Sequence, residues 1–345
     1  MVVAAEEFAK STRPLILVRW LVASLIVILV PQFWLVLDIK IGLRSLLILI
    51  SVIGILNFLA GSLTSSRIEI IRQRFGLSHR NWKLWWSDRV KAHLISILTN
   101  LIIFSTIYLL TSELSAPLSM IIISSLAFLG TLTLSFVIPV LITPLFTKLR
   151  DIPVESELRT KVLLIAEQSG IKVKKIQISD ASRRGSAVNA YVAGIGKTRR
   201  VVLFDTLVSS LPLSEVEVVL AHEFAHVKSR DVFKSTLMFS IASALSVVAM
   251  FQLLSPSSPY LFSVQAISLF AGLEVIFQPL AVAISRRAEI NADRRSLELI
   301  PNLEVYKTMH RSLAEKNLIP FSVPKWFYFL FSTHPTLEQR LRLVP

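Results

Sequence analysis

The sequence predicts a mainly α-helical membrane protein, with about six transmembrane helices and a domain outside the bilayer that contains a small β-sheet. Three observations point there. The 345 residues are 53% hydrophobic and only 17% charged, and the mean hydropathy of +0.63 is too high for an ordinary soluble chain of this length. Six apolar stretches are each long enough to cross a bilayer. Between the fourth and the fifth, charged residues return together with short runs that suit strands. The formal charge of +14 raises the question of nucleic acid, but no nucleic-acid motif accompanies it. In a membrane chain, Lys and Arg gather in cytoplasmic loops and against anionic lipid. The expected partner is therefore the lipid bilayer and not nucleic acid. Cysteine is absent, which removes disulfides and thiolate metal ligands.

Residues 1–147 form an N-terminal region of four spans. Residues 20–37 are free of charge between Arg19 and Asp38, with Trp20 and Trp34 near the two ends as interfacial anchors. No small-residue cleavage site follows, so this run reads as a span and not as a signal peptide. A second span covers 45–66. Residues 67–91 read as a basic loop in which Trp82, Trp85 and Trp86 anchor the third span at 94–112. Residues 114–147 carry no charge and suffice for a tilted fourth span that Pro139 or Pro144 ends or kinks.

Residues 148–234 lie outside the membrane. An amphipathic helix is expected at 155–170 with Gly170 as its C-cap, then strands at 175–179, 187–192 and 200–204. Gly194 and Gly196 make a turn rather than a phosphate loop, because a strand and not a helix follows them. Ser214 with Glu217 three residues on is a capping-box signature for the next helix. Region 235–285 holds two further spans, 235–254 and 260–285, separated by the breaker Ser255-Pro256-Ser257-Ser258-Pro259. Residues 286–345 are polar enough to fold outside the membrane.

The helix predicted after Ser214 carries His222-Glu223-Phe224-Ala225-His226. On a helix, the i, i+4 spacing puts both imidazoles on one face, where they can ligate one zinc ion, with Glu223 beside it as general base. A catalytic zinc needs a third protein ligand. Glu289 stands where the sixth span leaves the membrane, and an antiparallel pair of spans returns that point to the start of the fifth. His222, His226 and Glu289 can therefore converge on one Zn2+ per chain. A metzincin would continue with Gly and a third His, but Ser229 and Val232 occupy those positions. Charged residues flank the motif, so the site belongs at the membrane surface. Seven Lys or Arg lie between spans two and three, against Lys40 and Arg44 between spans one and two. The positive side being inside, the catalytic site and both termini are expected in the cytoplasm.

Asp180-x-Ser182-Arg183-Arg184 with Asn189-Ala190-Tyr191, the run from Arg200 to Leu207, His222-Glu223-x-x-His226, Ser285-Arg286-x-x-Glu289-x-x-Ala292-Asp293 and His334-Pro335 resemble the integral-membrane zinc peptidases that comprise type I CAAX prenyl proteases and HtpX-like proteases. The resemblance runs from about residue 144 to 340. It implies a gluzincin-like zinc-peptidase domain with ligands His222, His226 and Glu289 and with Glu223 as the base. It further implies that His334 assists near the scissile carbonyl and that Arg340 pairs with Asp293 to brace the ligand helix, with Arg286 in the same supporting motif. Asn189, Ala190 and Tyr191 become the strand edge along which substrate lies. An added strand needs an outward N–H there, expected of Tyr191 with Ala190 as the alternative. Type I CAAX proteases usually have seven spans and HtpX-like proteins four, against six here.

The expected function is therefore a membrane-embedded zinc metalloendopeptidase at the cytosolic membrane surface, CAAX prenyl protease-like, acting on peptide or protein substrates that are prenylated or membrane-associated. An HtpX-like quality-control protease of misfolded membrane proteins is the alternative within enzymes. A non-catalytic transporter or scaffold with a degenerate metal site is the alternative outside them. The mid-span Glu274 permits that last reading, and the intact Glu223 opposes it. His79, His93 and His310 fall outside the motifs and are expected at interfaces or on the surface.

Overall fold

The computed structural model describes residues 2–37, 42–142, 145–194, 196–254 and 258–343. Pro144 and the 255–257 part of the breaker lie outside the described residues. Six helices are long and apolar enough to cross a membrane: α1 (Val2–Val36), α2 (Leu43–Arg74), α3 (Trp82–Glu113), α4 (Ala116–Leu141), α8 (Asp231–Leu253) and α9 (Pro259–Leu299). Helices α2, α3 and α9 extend beyond their expected apolar stretches at both ends, α1 and α8 begin earlier than theirs and end one residue sooner, and α4 lies within the 114–147 stretch. The basic 67–91 segment is therefore mostly helix. Only 75–81 remains as connection, and Trp82, Trp85 and Trp86 stack edge to face on the first turns of α3.

Inside the bundle, Leu46, Leu49 and Ile50 of α2 meet Phe104 and Ile107 of α3, Met250 of α8 and Phe262 of α9. Toward one end, the Trp34 indole donates to Tyr260 Oη at 2.9 Å and to Ser45 Oγ at 3.2 Å, tying α1, α2 and α9 together with no polar group left over. Leu25, Leu29 and Phe33 on α1 face outward, as lipid-facing residues do. At 41 residues, α9 is about 61 Å long, roughly twice the thickness of a hydrocarbon core. It therefore carries its last turns out of the bilayer as continuous helix.

The domain outside the bundle holds a four-stranded mixed sheet in the order β1-β2-β4-β3, from β1 (Leu149–Asp151), β2 (Lys175–Ser179), β3 (Ala190–Ala193) and β4 (Arg200–Phe204). Strand β1 had no alternating pattern to announce it in three residues. Strand β3 begins three residues later than expected, because Asn317 takes both main-chain groups of Val188, accepting from its N–H at 2.9 Å and donating to its carbonyl at 3.1 Å. Against the sheet pack α5 (Glu157–Gln168), α6 (Asp205–Ser210), α7 (Leu213–Ser229) and α10 (Leu303–Lys316). Val162, Val201, Leu203, Leu207, Leu220 and Phe224 form the core between them. Two short helices close the chain, α11 (Lys325–Phe331) and α12 (Leu337–Arg342).

The expected capping box at Ser214 is not formed. Pro212, extended at φ −58° and ψ 149°, is the residue before the helix, and no side chain caps it. Glu217 instead reaches Lys161 of α5 at 2.8 Å. The α2–α3 connection docks on the sheet domain. The His79 N–H donates to the Arg184 carbonyl at 3.1 Å, Ser186 Oγ donates to that of Gly76 at 3.0 Å, and Arg184 forks onto Asp88 at 3.1 and 3.3 Å. Gly185 permits the approach, since a Cβ there would stand 2.3 Å from the Leu77 carbonyl oxygen.

Candidate metal centre and active site

Helix α7 ends at Ser229, and the single residue Arg230, left-handed at φ 56°, turns the chain directly into α8. A non-glycine residue in that conformation costs roughly 1–2 kcal/mol. What it achieves is to swing Asp231 back onto the helix it follows, where Asp231 Oδ2 lies 2.8 Å from His226 Nδ1. The other imidazole has a matching partner on α9: Asp293 Oδ1 lies 2.8 Å from His222 Nδ1. With both Nδ1 atoms turned to carboxylates, the two Nε2 atoms are the ones left to present a lone pair to a metal.

Those Nε2 atoms are 3.1 Å apart. Glu289 completes the triangle, with Oε2 at 3.4 Å from His222 Nε2 and Oε1 at 3.3 Å from His226 Nε2. Zinc with bonds of about 2.0–2.1 Å in a tetrahedral shell has ligand atoms about 3.3 Å apart, and one ligand atom from each of His222, His226 and Glu289 lies within 4.8 Å of the others, close enough to share one ion. Burial opposes charge on His222, but the Asp293 and Glu289 carboxylates outweigh it and lift its pKa to about 10. Burial likewise opposes charge on His226, yet Glu289 raises it. A site that holds protons so firmly attracts a divalent cation for the same reason. The donor set fits zinc.

Glu223, half-buried beside the triad, has its pKa raised by burial against the pull of the two imidazoles. His334 lies on the rim, its side chain 63% exposed, with Nδ1 2.8 Å from Glu289 Oε2. Arg340 bridges the two carboxylates of α9, donating from Nη2 to Glu289 Oε2 at 2.8 Å and from Nη1 to Asp293 Oδ1 at 3.0 Å. Arg286 does not join them. Its Nη1 donates to the carbonyls of Tyr328 and Ser332 at 2.8 and 2.9 Å, so it holds the segment that leads to His334.

Strand β3 is an edge of the sheet. Its register pairs Tyr191 with Val202 and Ala190 with Leu203, and the Phe204 N–H donates to the Asn189 carbonyl. By the alternation of an antiparallel ladder, the Asn189 and Tyr191 main-chain groups face β4 while those of Ala190 and Val192 face the free edge. The expectation that Tyr191 N–H points outward is thus corrected. At Ala190 that outward N–H is held by the Asn189 side chain, 2.9 Å away.

Two further residues have places that their own segments do not announce. Asp231, a charge flanking the motif and an alternative third ligand by sequence, is aimed at His226 Nδ1 by the break at Arg230. His310, expected at the surface, is 4% exposed. It sits one turn after buried Tyr306 on the inner face of α10, its Nε2 3.6 Å from Asp293 Oδ1, and burial drives its pKa down to about 3. Glu274 is exposed on α9 and is not among the groups gathered here.

His222, Glu223, Glu289 and His334 open onto a cavity of about 610 Å³ whose remaining wall is mostly apolar, including Phe8 and Ile16 of α1 and Phe327 and Phe331 of α11. Fold and site together define a multi-pass membrane peptidase. Residues 154–344 match the model of peptidase family M48, more than half of the chain, and the chain belongs to that family. Residues 23–148 match the model described as the CAAX prenyl protease N-terminal region with five membrane helices. Over that stretch this chain places four described helices, α1 to α4. The chain is 27% identical over 313 residues to the CAAX prenyl protease 1 homolog of Arabidopsis thaliana, covering 84% of this chain and 73% of the relative. It is also 27% identical over 225 residues to the uncharacterized metalloprotease YhfN of Bacillus subtilis, covering 61% and 53%. The crystal structure of S. mikatae Ste24p shares the fold, with a TM-score of 0.75 over 91% of this chain and 80% of that one at 23% identity.

Proposed function

We propose that this M48 peptidase is a zinc-dependent endopeptidase that cuts peptides at the cytosolic membrane surface, with prenylated chains as its substrate class. The observation that carries the reading is the cluster of His222, His226 and Glu289, with contacts of 3.1–3.4 Å between them, with Glu223 next to it and an apolar cavity in front of it. Zinc, when bound there, supplies a Lewis acid that acidifies water and polarises a carbonyl. The chain's own groups do the rest. The Glu223 carboxylate takes the proton of the attacking water and passes it to the leaving amine nitrogen. His334, exposed on the rim, donates toward the oxygen of the scissile carbonyl as charge develops there. The outward main-chain groups of Val192, with the outward carbonyl of Ala190, align an extended peptide as an added strand. Arg340 offsets the charge of Glu289 and Asp293 and ties α12 to α9.

The cytosolic assignment rests on charge. The 67–91 segment, with seven Lys or Arg on the facing ends of α2 and α3 and their connection, docks on the sheet domain through Gly76, His79 and Arg184, so the site shares its side with that positive stretch, and the positive side stays inside. The prenyl assignment rests on the apolar wall and on the names of the relatives. Cleavage of a farnesylated CAAX peptide against its unprenylated copy tests it. The expected result is a clear preference for the farnesylated peptide; equal rates would favour an HtpX-like protease of loose sequence preference.

A further inference from the structure

The cavity in front of the triad has two arginines on its wall, Arg13 and Arg340. Arg340 is committed to Glu289 and Asp293. Arg13, on α1, has no carboxylate partner among the described residues, yet it is only 8% exposed. Its contacts are one long hydrogen bond from Nη2 to the Ser322 carbonyl at 3.4 Å and the face of Phe327, with the guanidinium carbon 5.7 Å from the ring centroid. A guanidinium has five N–H donors, so most of its capacity is unused. Around it the wall is Phe8, Ala9, Ile16, Val323 and Phe331. A buried cation with idle donors in such a wall is costly unless a ligand brings the acceptors.

The proposed substrate brings an anion. A peptide whose end enters an apolar cavity carries its terminal carboxylate with it, and that charge must be matched inside. The guanidinium fork matches a carboxylate with two parallel hydrogen bonds, a geometry a lysine cannot copy. We propose that Arg13 receives the C-terminal carboxylate of the peptide substrate, so that the site selects chains that end in the cavity and the position of the cut is counted from that end. Arg13 is then a specificity residue, contributed by the cytosolic extension of α1 and remote in sequence from every peptidase motif. The inference rests on the peptidase reading above and adds to it which end of the substrate is held.

The test compares a farnesylated CAAX peptide as free acid with the same peptide as C-terminal amide, using the full-length zinc-loaded protein. The free acid is expected to be cut with kcat/KM at least tenfold higher. The inactive Glu223→Gln variant, which leaves the peptide whole, is expected to bind the acid at least tenfold more tightly than the amide. Arg13→Gln should erase both ratios by bringing the acid down to the level of the amide, and Arg13→Lys should reduce them. Equal handling of acid and amide by the parent overturns the inference while leaving the peptidase reading intact. So does an Arg13→Gln variant that weakens both peptides alike, which would assign Arg13 to packing against Ser322 and Phe327. Should that variant not fold, the parent ratio and the Arg13→Lys ratio decide. Absence of any cleavage by zinc-loaded protein overturns the peptidase reading and this inference with it.

Discussion

At the scale of single residues, the site is a set of charges that would repel or strand one another if any were missing. Glu289 touches both imidazoles, His334 and Arg340, and two histidines without it leave a tetrahedral shell one protein group short. Glu289→Ala is therefore expected to lose zinc, read as metal content of the purified protein; full occupancy in that variant would move the third ligand elsewhere. Glu223→Gln should behave differently, keeping zinc while turnover falls by orders of magnitude, because a base is removed and no ligand is. Asp231 fixes the tautomer of His226 at 2.8 Å. Removing such an outer partner typically costs 10–100-fold in metal affinity, so Asp231→Ala should release zinc at chelator concentrations about tenfold or more below those the parent withstands. A zinc titration unchanged by the substitution would make that contact incidental.

Among the elements, the sheet edge and the long last span do most to position the site. Only alternate residues of β3 face the free edge, and at Val188 and Ala190 that edge is already occupied by the Asn317 and Asn189 side chains. Val192 offers an outward N–H with no partner among the described residues. Val192→Pro should leave zinc content and thermal stability close to the parent while cutting kcat/KM at least tenfold, about 1.4 kcal/mol in transition-state binding. Tyr191→Pro should instead break pairing with Val202 and lower stability. If Val192→Pro cleaves at the parent rate, the peptide aligns elsewhere. Helix α9 shows a different lesson. Its apolar part predicted a span, yet the absence of any breaker after Ser285 is what lets one rigid helix place Glu289 and Asp293 against α7.

For the whole molecule, six spans bring the sheet domain, the α2–α3 connection, the extension of α1 and the end of α9 to one side of the bundle. The native chain has no cysteine, so a single introduced thiol reports its side without background. Cys at Ser115, exposed between α3 and α4, should react with an impermeant reagent added outside intact cells, and Cys at exposed Glu155 should react only after permeabilisation. The reverse pattern would place the site in the other compartment.

The six spans, two of the four strands to the residue, the motif helix and the grouping of His222, His226 and Glu289 were legible in the sequence. Each rests on periodicity, on charge-free length or on ligand spacing, which are local or nearly local properties of a chain. The capping box at Ser214 failed because the helix begins at Leu213, which puts Ser214 inside its first turn, and Glu217 pairs with Lys161, far away in sequence. His310 looked like a surface residue because nothing in its own segment says that α10 turns that face onto Asp293. The direction of the Tyr191 N–H depended on the register with β4, a one-residue choice that composition does not encode. Asp231, Asn317 and Arg13 acquire their places only when α7, β3 and α1 are packed around one cavity, since each acts across the fold on a group that is distant in the chain or turned toward it by a single left-handed residue.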